Sequence, residues 1–296
     1  MTTTSDKRTF VYKKTDQIDL RIDVYGADEE TKPGVFYIHG GGFLLGSRTM
    51  IGQEYLKSLL DTGFVVTSID YRLAPETKVP VQVEDLCDAW KWVISEGPRL
   101  FNIDPDRLAV SGSSAGGHYS LVAGYRFDPR PKAIAALCAC TDIDGPWCTL
   151  PYDCGVGPVS KEEALATVGT DEIACPPDDS DRVLFYYHTR QNGTWMNEMV
   201  GHDPKTAHDI YDPLCPIRNV DENFPPTILI HGGADEAVPV KQAKDMAKEL
   251  AKAGVEHELF IIPSAPHAFE TEDWVMNPDV IESRRRTVEF LKKRIG

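Results

Sequence analysis

The pentapeptide Gly112–Gly116, with the sequence GSSAG, narrows the folds open to this chain to those with a sharp strand-to-helix turn. The apolar segment Leu108–Ser111 before it predicts a buried strand, and the segment Ala115–Tyr125 after it predicts a helix. A serine at such a sharp strand-to-helix turn projects its hydroxyl above the sheet, and glycines two positions away avoid a steric collision. The pattern therefore predicts that Ser114 is a nucleophile at the end of a strand.

Strand-like and helix-like segments alternate along most of the chain, which is typical of a mainly parallel sheet with helices on both faces. The first two strands are expected to form an antiparallel pair. The predicted strands are 10–12, 18–25, 34–38, 64–69, 108–111, 133–138, 227–230 and 257–262, and the predicted helices are 51–60, 83–94, 115–125, 240–253 and 280–293. The fold class that follows is α/β.

The alternation stops between residues 142 and 226, where Pro, Gly, Asp and aromatic residues are frequent and no clear strand pattern occurs. A structureless loop of this length inside a compact domain is uncommon. We therefore predict a core made of residues 1–141 and 227–296, interrupted by an inserted helical cap, or lid, over residues 142–226.

The formal net charge of −15 limits the partners of this chain. An acidic surface repels phosphate backbones and anionic lipids, so neither nucleic acid nor a membrane is an expected partner. The first ten residues are polar and no apolar run is long enough for a span, so we expect a cytoplasmic protein without a signal peptide. The seven cysteines include no C-x-x-C pair, so we expect reduced thiols, no metal site and no cofactor.

Three consecutive glycines follow the predicted strand 34–38. Backbone N–H groups that no Cβ shields can bind a developing alkoxide, and we predict this role for Gly41 and Gly42 together with Ala115. His39 is expected to anchor the loop rather than to act as an acid or base. A phosphate-binding loop would need Lys-Ser/Thr after its last glycine, whereas two apolar residues follow here.

A serine nucleophile needs a general base, and His267 is the histidine placed best for that role. It lies in a loop after the last predicted strand, at the sheet edge where α/β proteins bind their ligands. Asp235 follows another strand in a glycine turn, where a carboxylate can orient the imidazole and stabilise its charged form. Asp142 and Glu236 are the alternative acids. The chain order Ser114, then Asp, then His agrees with this geometry.

Together these motifs resemble the hormone-sensitive-lipase branch of the α/β-hydrolases. The resemblance implies the α/β-hydrolase fold, with a mostly parallel eight-stranded sheet, and the hydrolysis of carboxylic esters through an acyl-enzyme. One departure is Ser113, because the family commonly has an acidic residue before its nucleophile. We expect Asp70 to form an interior ion pair with Arg72 rather than to act in catalysis. The matching segments are His39–Phe43, Asp70–Glu76, Gly112–Gly117, the Asp235 turn and the His267 loop.

Substrate selection is expected to fall to the cap. Tyr186 and Trp195 of the cap, together with Phe43 and Leu44 after the glycine loop, are the candidates for binding a small to medium hydrophobic acyl group. The aromatic residues of the cap agree equally well with a small core of the cap itself.

The leaving group stays open, since the same three residues would cleave an ester or a thioester. The insert 142–226 is similar to inserts in fungal hydrolases, including thiohydrolases that act beside polyketide synthases. An acyl-thioester hydrolase with a carrier-protein or synthase partner is therefore one alternative. A formamidase or amidase would use the same motifs, although nothing here favours a nitrogen leaving group. A non-catalytic small-molecule-binding protein of this fold is a further alternative, against which the retained His267 argues, and a homodimer is left open.

Overall fold

The computed structural model describes residues 7–177, 180–267, 269–270 and 274–296. The opening residues 1–6 of the predicted core, and position 268 of the His267 loop, lie outside these ranges. The strands are β1 (Arg8–Lys14), β2 (Asp19–Tyr25), β3 (Lys32–Ile38), β4 (Val65–Ile69), β5 (Ile103–Ser113), β6 (Ile134–Leu137), β7 (Thr227–Gly232) and β8 (His257–Ile262). The helices are α1 (Gln53–Asp61), α2 (Val79–Phe101), α3 (Ala115–Arg126), α4 (Pro146–Thr149), α5 (Lys161–Leu165), α6 (Val183–Gln191), α7 (Trp195–Val200), α8 (His208–Tyr211), α9 (Lys241–Lys252) and α10 (Pro278–Ile295), with 3-10 turns at Asp212–Leu214 and Pro216–Arg218.

In the described ranges, eight strands form one sheet in the order β1-β2-β4-β3-β5-β6-β7-β8. The β1–β2 and β2–β4 pairs are antiparallel, and every later pair in this order is parallel. The central strands are buried on both faces, as parallel strands require when helices cover them. The predicted mostly parallel eight-stranded sheet and its antiparallel opening pair are confirmed.

Apolar side chains pack on both faces of the sheet. On one face, Trp90 and Val93 of α2 join a core that extends into α6 and α7. On the other face, Leu59 of α1 and Leu291 of α10 pack over β3 and β6. Helices therefore cover both faces, as the alternating pattern predicts.

Helix α2 is longer at both ends than the predicted helix 83–94. A proline in its first turn is compatible with helix initiation, because the missing N–H has no partner there anyway. At the other end the pair Gly97-Pro98 favours a break in the helix, yet the last turn continues to Phe101, whose ring is buried. Tertiary packing here outweighs the local preference.

Outside positions 178–179, the segment 142–226 contains helices α4–α8 and the two 3-10 turns, and no strand. This content agrees with the helical insert expected from the sequence, while the division of the chain into core and cap stays a prediction. Among the residues with described positions, no helix is both long and apolar enough to cross a membrane.

The predicted ion pair between Asp70 and Arg72 is wrong. Asp70 Oδ2 lies 2.6 Å from Nη1 of Arg48, whose own backbone N–H also donates to Asp70 Oδ1 at 2.8 Å. Arg72 instead pairs with Asp85 at 2.7 Å and with Glu172 at 2.6 Å. Both of these partners are far from Arg72 in sequence, so local spacing could not identify them.

Candidate active site

Ser114 lies at the turn between β5 and α3 in a strained backbone conformation, with φ 57° and ψ −120°. Such angles persist only when the surroundings fix them. The Ser114 N–H donates to the carbonyl of Leu137 at 2.8 Å, and the carbonyl of Ser114 accepts from the N–H of His118 at 2.9 Å. A Cβ at Gly116 would lie 2.0 Å from the carbonyl oxygen of Ile38, which explains why this position of the motif needs glycine.

His267 and Asp235 meet Ser114 at this turn. The Nε2 atom of His267 lies 2.9 Å from Ser114 Oγ, and its Nδ1 atom lies 2.7 Å from Asp235 Oδ2. The two distances are those of hydrogen bonds. The structure thus brings together the three side chains that the sequence analysis singles out as nucleophile, base and acid.

Asp235 is held as a carboxylate by its surroundings. Its Oδ1 atom accepts from the N–H groups of Ala237 at 3.0 Å and Val238 at 2.8 Å. Burial by itself would raise the pKa of Asp235, but hydrogen bonds from His231 and His267 and the backbone lower that pKa to about 2. The side chain is therefore ionised over the whole neutral range.

His231 is not among the site residues predicted from the sequence. It lies on β7, is fully buried, and places Nε2 at 3.1 Å from Asp235 Oδ2. Its spacing of four residues from Asp235, in the segment HGGAD, is the only sequence pattern that could have pointed to it.

The glycine loop after β3 presents unshielded N–H groups beside Ser114. Gly41 has φ +115°, and a Cβ there would lie 2.2 Å from the carbonyl oxygen of Leu45. The carbonyl of Gly41 accepts from the N–H of Leu45 at 2.9 Å, and that of Gly42 accepts from Nε1 of Trp195 at 3.4 Å. In the described part of the chain, no backbone carbonyl accepts from the N–H groups of Gly41, Gly42 or Ala115.

His39 anchors the glycine loop. Its ring is fully buried and stacks on Tyr71 with 4.3 Å between ring centroids, while Nδ1 lies 2.7 Å from the carbonyl oxygen of Gly40. Burial lowers the pKa of His39 to about 4, so the ring stays neutral. The hydroxyl of Tyr71, from the motif Asp70–Glu76, donates to the carbonyl of His39 at 3.0 Å.

A cavity of about 420 Å³ opens in front of Ser114 and His267. Tyr186 and Trp195 both line it, as predicted for substrate-binding residues, and their contribution to binding stays a prediction. Its walls are mostly apolar and aromatic, so they suit a hydrophobic group. The lining side chains include Tyr37, Leu45, Met50, Val183, Tyr186, Tyr187, Trp195, Val238 and Glu270.

Phe43 and Leu44, which were predicted to bind the acyl group, lie in the core instead. Both are fully buried and neither lines the cavity. Phe43 has φ +72°, and its ring packs edge-on against His118 and Tyr119 at 5.4 Å from each ring centroid. The sharp curl of the loop turns these side chains into the core and leaves Leu45 at the cavity wall.

The alternative acids and bases make other contacts. Asp142 Oδ1 accepts from Nε1 of Trp147 at 2.6 Å, and Glu236 is exposed to solvent. His118, one turn after the nucleophile, is buried with Nδ1 at 3.1 Å from the carbonyl oxygen of Cys140. Burial lowers the pKa of His118 to about 4.

Comparison with known proteins adds a family and two groups of relatives. A family model described as BD-FAE matches residues 22–250. The non-reducing polyketide synthase ausA of Penicillium brasilianum is 28% identical over 98% of this chain, and the non-reducing polyketide synthase trt4 of Aspergillus terreus is 30% identical over 89% of it. The chain spans only 14% and 13% of the lengths of these two proteins.

Three solved structures share the fold over nearly the whole chain. An alpha/beta hydrolase superfamily protein from Enterococcus faecalis has a TM-score of 0.76 and 19% identity, covering 97% of this chain and 99% of that one. The thermophilic esterase Est2 of Thermogutta terrifontis with butyrate bound has a TM-score of 0.69 and 22% identity, covering 98% and 94%. Esterase 2 of the same organism, phosphoramylated by tabun, has a TM-score of 0.70 and 21% identity, covering 98% and 96%.

Proposed function

Because the chain belongs to the BD-FAE family of hormone-sensitive-lipase-like esterases and has the α/β-hydrolase fold, we propose that it is a serine hydrolase that cleaves carboxylic esters. Ser114 is the nucleophile, His267 the general base and Asp235 the acid behind it. The observation that carries the proposal is the continuous path of hydrogen bonds from Ser114 Oγ through the imidazole to Asp235, at 2.9 Å and 2.7 Å.

The reaction proceeds in two halves through an acyl-enzyme. His267 Nε2 takes the proton of Ser114 Oγ as that oxygen attacks the carbonyl carbon, and the same imidazole then protonates the departing alcohol. Water, deprotonated by His267, attacks the acyl-enzyme and releases the acid and the free serine. Asp235 keeps the proton of the imidazole on Nδ1 and stabilises the imidazolium that forms in each half.

The N–H groups of Gly41, Gly42 and Ala115 stabilise the oxyanion of both tetrahedral intermediates. Support comes from the unshielded backbone of the glycine loop and from the start of α3 immediately after Ser114. Donors of this kind act without reorganisation during the reaction, and the loss of one typically lowers the rate by about 100-fold or more.

The segment 142–226 acts as a cap that selects a small to medium hydrophobic acyl group. Tyr186 of α6 and Trp195 of α7 contribute aromatic walls to the cavity. Arg182, in the turn before α6, anchors the segment to the core by its bonds to Glu76 Oε2 at 2.8 Å and to the carbonyl of Leu44 at 3.1 Å.

An acyl-thioester hydrolase is the second candidate. The similarity to non-reducing polyketide synthases, which extends over 98% of this chain for the Penicillium protein, favours it. In that case the acyl group would arrive as a thioester on a carrier protein or a synthase, and the thiol would leave in place of the alcohol. The same three residues would perform the reaction.

The two candidates differ in one atom of the substrate, so a matched pair of substrates separates them. We expect the chain to hydrolyse the butyrate ester of N-acetylethanolamine with a kcat/KM at least equal to that of the thioester of N-acetylcysteamine, which differs only by sulfur for oxygen. A preference of more than about 10-fold for the thioester, or about 1.4 kcal/mol in transition-state stabilisation, would favour the second candidate.

Replacement of Ser114 tests both candidates together. We expect Ser114→Ala to lower kcat by about 10,000-fold or more on either substrate, because no other group can carry the acyl intermediate. The circular dichroism spectrum should stay that of the parent chain. Turnover by Ser114→Ala within 10-fold of the parent rate would refute the assignment of the nucleophile.

A further inference from the structure

The carboxylate of Asp235 faces two imidazoles rather than one. Asp235 Oδ2 lies 2.7 Å from Nδ1 of His267 and 3.1 Å from Nε2 of His231. His231 approaches from β7, below the site, and is fully buried, so it neither reaches solvent nor lines the cavity. It is therefore placed to act on the acid and not on a substrate.

The contacts of His231 place a hydrogen on its Nε2 atom. Nε2 faces two acceptors, the carboxylate of Asp235 and the carbonyl oxygen of Val238 at 2.9 Å, so Nε2 must carry a hydrogen. Nδ1 is buried and has no hydrogen-bond partner within the described ranges. His231 therefore carries a hydrogen on Nε2.

These contacts close a ring around residues 235–238, which we call the acid loop. The N–H of Val238 donates to Asp235 Oδ1, the carbonyl of Val238 accepts from His231 Nε2 at 2.9 Å, and the same Nε2 lies 3.1 Å from Asp235 Oδ2. With the N–H of Ala237 also on Oδ1, that oxygen accepts two backbone hydrogen bonds, while Oδ2 faces Nδ1 of His267 and Nε2 of His231. A carboxylate held in this way cannot rotate about its Cβ–Cγ bond without breaking several bonds at once.

We propose that His231 is a positioning residue, whose Nε2–H donor holds Asp235 so that Oδ2 stays directed at Nδ1 of His267. The inference rests on the proposed function, since it assigns a role through the acid and base named there. Without this donor, Oδ2 keeps only the bond from His267, and the imidazole loses part of the support that keeps its Nε2 directed at Ser114.

Three variants of His231 test whether the residue acts as a hydrogen-bond donor or only fills space in the core. His231→Leu removes the donor at similar volume. His231→Gln can place an amide N–H near the position of Nε2, whereas the shorter His231→Asn reaches only the position of Nδ1 and is the matched control. Each variant is assayed for kcat and KM on the butyrate ester of N-acetylethanolamine, with its melting temperature recorded beside the parent chain.

We expect His231→Leu and His231→Asn to lower kcat by about 10- to 100-fold, the range for a lost hydrogen bond to a charged group, with KM within about twofold of the parent. His231→Gln should recover most of kcat. The low-field proton resonance of the bond between His267 and Asp235 should shift or broaden in the leucine and asparagine variants and persist in the glutamine variant.

Two results would overturn the inference. One is a kcat for His231→Leu equal to that of the parent. The other is an equal loss of kcat in His231→Gln and His231→Asn, which would mean that the ring matters only for packing; this comparison still decides if His231→Leu fails to fold. Failure of the proposed function is distinct, because the parent chain itself would then hydrolyse no ester or thioester.

Discussion

Glu270 places a carboxyl group beside the cavity in surroundings that disfavour its charged form. The residue lines the cavity, while its Oε1 atom is buried and has no hydrogen-bond partner in the described part of the protein. Burial raises the pKa of Glu270 to about 7, and the positive charge of Arg284 offsets this effect only in part. The folded state should therefore favour the protonated form of Glu270.

This shift makes stability depend on pH in a defined direction. Between pH 4.5 and about pH 7, Glu270 keeps a proton in the folded chain that it has already released in the unfolded chain, where its pKa has the ordinary value of 4.5. The contribution of Glu270 is thus fully present below pH 4.5 and is lost as the pH rises through 7. We expect Glu270→Gln, which is neutral at every pH, to gain about 2–3 kcal/mol in free energy of unfolding relative to the parent between pH 5 and pH 8.

Urea unfolding at the two pH values measures this difference. Glu236→Gln is a suitable control, because Glu236 is exposed and lies beside the same site. An offset between Glu270→Gln and the parent that is the same at pH 5 and pH 8 would show that Glu270 titrates normally in the folded chain.

Short motifs predict some residues of the candidate site, whereas other residues beside it carry no recognisable pattern. Ser114, Asp235 and His267 each lie in a short motif, at a strand end, whose residue types fit one chemistry. His231 and Glu270 carry no such pattern, because their properties arise from neighbours distant in sequence or from burial. The same reason explains why Asp70 pairs with Arg48 and not with the nearby Arg72.

At the scale of elements, helix α6 is tied to the acid loop by one buried arginine. Arg190 is only 2% exposed, and its Nη2 donates to the carbonyl of Ala237 at 3.3 Å. Four aromatic rings surround its guanidinium group, so cation–π attraction replaces much of the lost hydration. The rings, with distances to their centroids, are Trp147 (5.7 Å), Tyr152 (4.6 Å), Tyr186 (5.9 Å) and Trp195 (4.7 Å).

We expect Arg190→Ala to lower the free energy of unfolding by about 2–4 kcal/mol, because it leaves a cavity among these rings and removes the cation. Arg190→Met should lose less, since its stem fills most of the same space. Chemical denaturation of the two variants and the parent gives the comparison. Equal stability of Arg190→Ala and the parent would mean that the cost of burying the charge cancels the stabilisation from its contacts with the rings.

Sequence patterns predict the main strands and helices of the sheet region, but they predict the ends of these elements less well. The periodicity of α2 predicts its centre, but burial of Phe101 extends it past Gly97-Pro98. After β3, the glycines predict an exposed backbone, whereas the direction of Phe43 and Leu44 depends on a positive φ that the residue types do not indicate.

At the scale of the whole molecule, the parallel sheet is what assembles the site. Ser114 follows β5, Asp235 follows β7 and His267 follows β8, and the carboxyl ends of parallel strands lie at one edge of the sheet. This rule allows the convergence of residues more than a hundred positions apart to be predicted from strand order alone. The path of segment 142–226 over that edge follows no comparable rule. Most of the residues that line the cavity were therefore identified only from the structure.

Locating a covalent adduct would show whether Ser114 is a nucleophile activated by His267 and Asp235. The chain is treated with a fluorophosphonate probe, digested, and examined by mass spectrometry of its peptides. We expect a phosphonyl adduct on Ser114 that is absent from Ser114→Ala and forms far more slowly in His267→Ala. An adduct on another residue, or none on a folded parent chain, as a non-catalytic binding protein would give, would refute this assignment of the nucleophile.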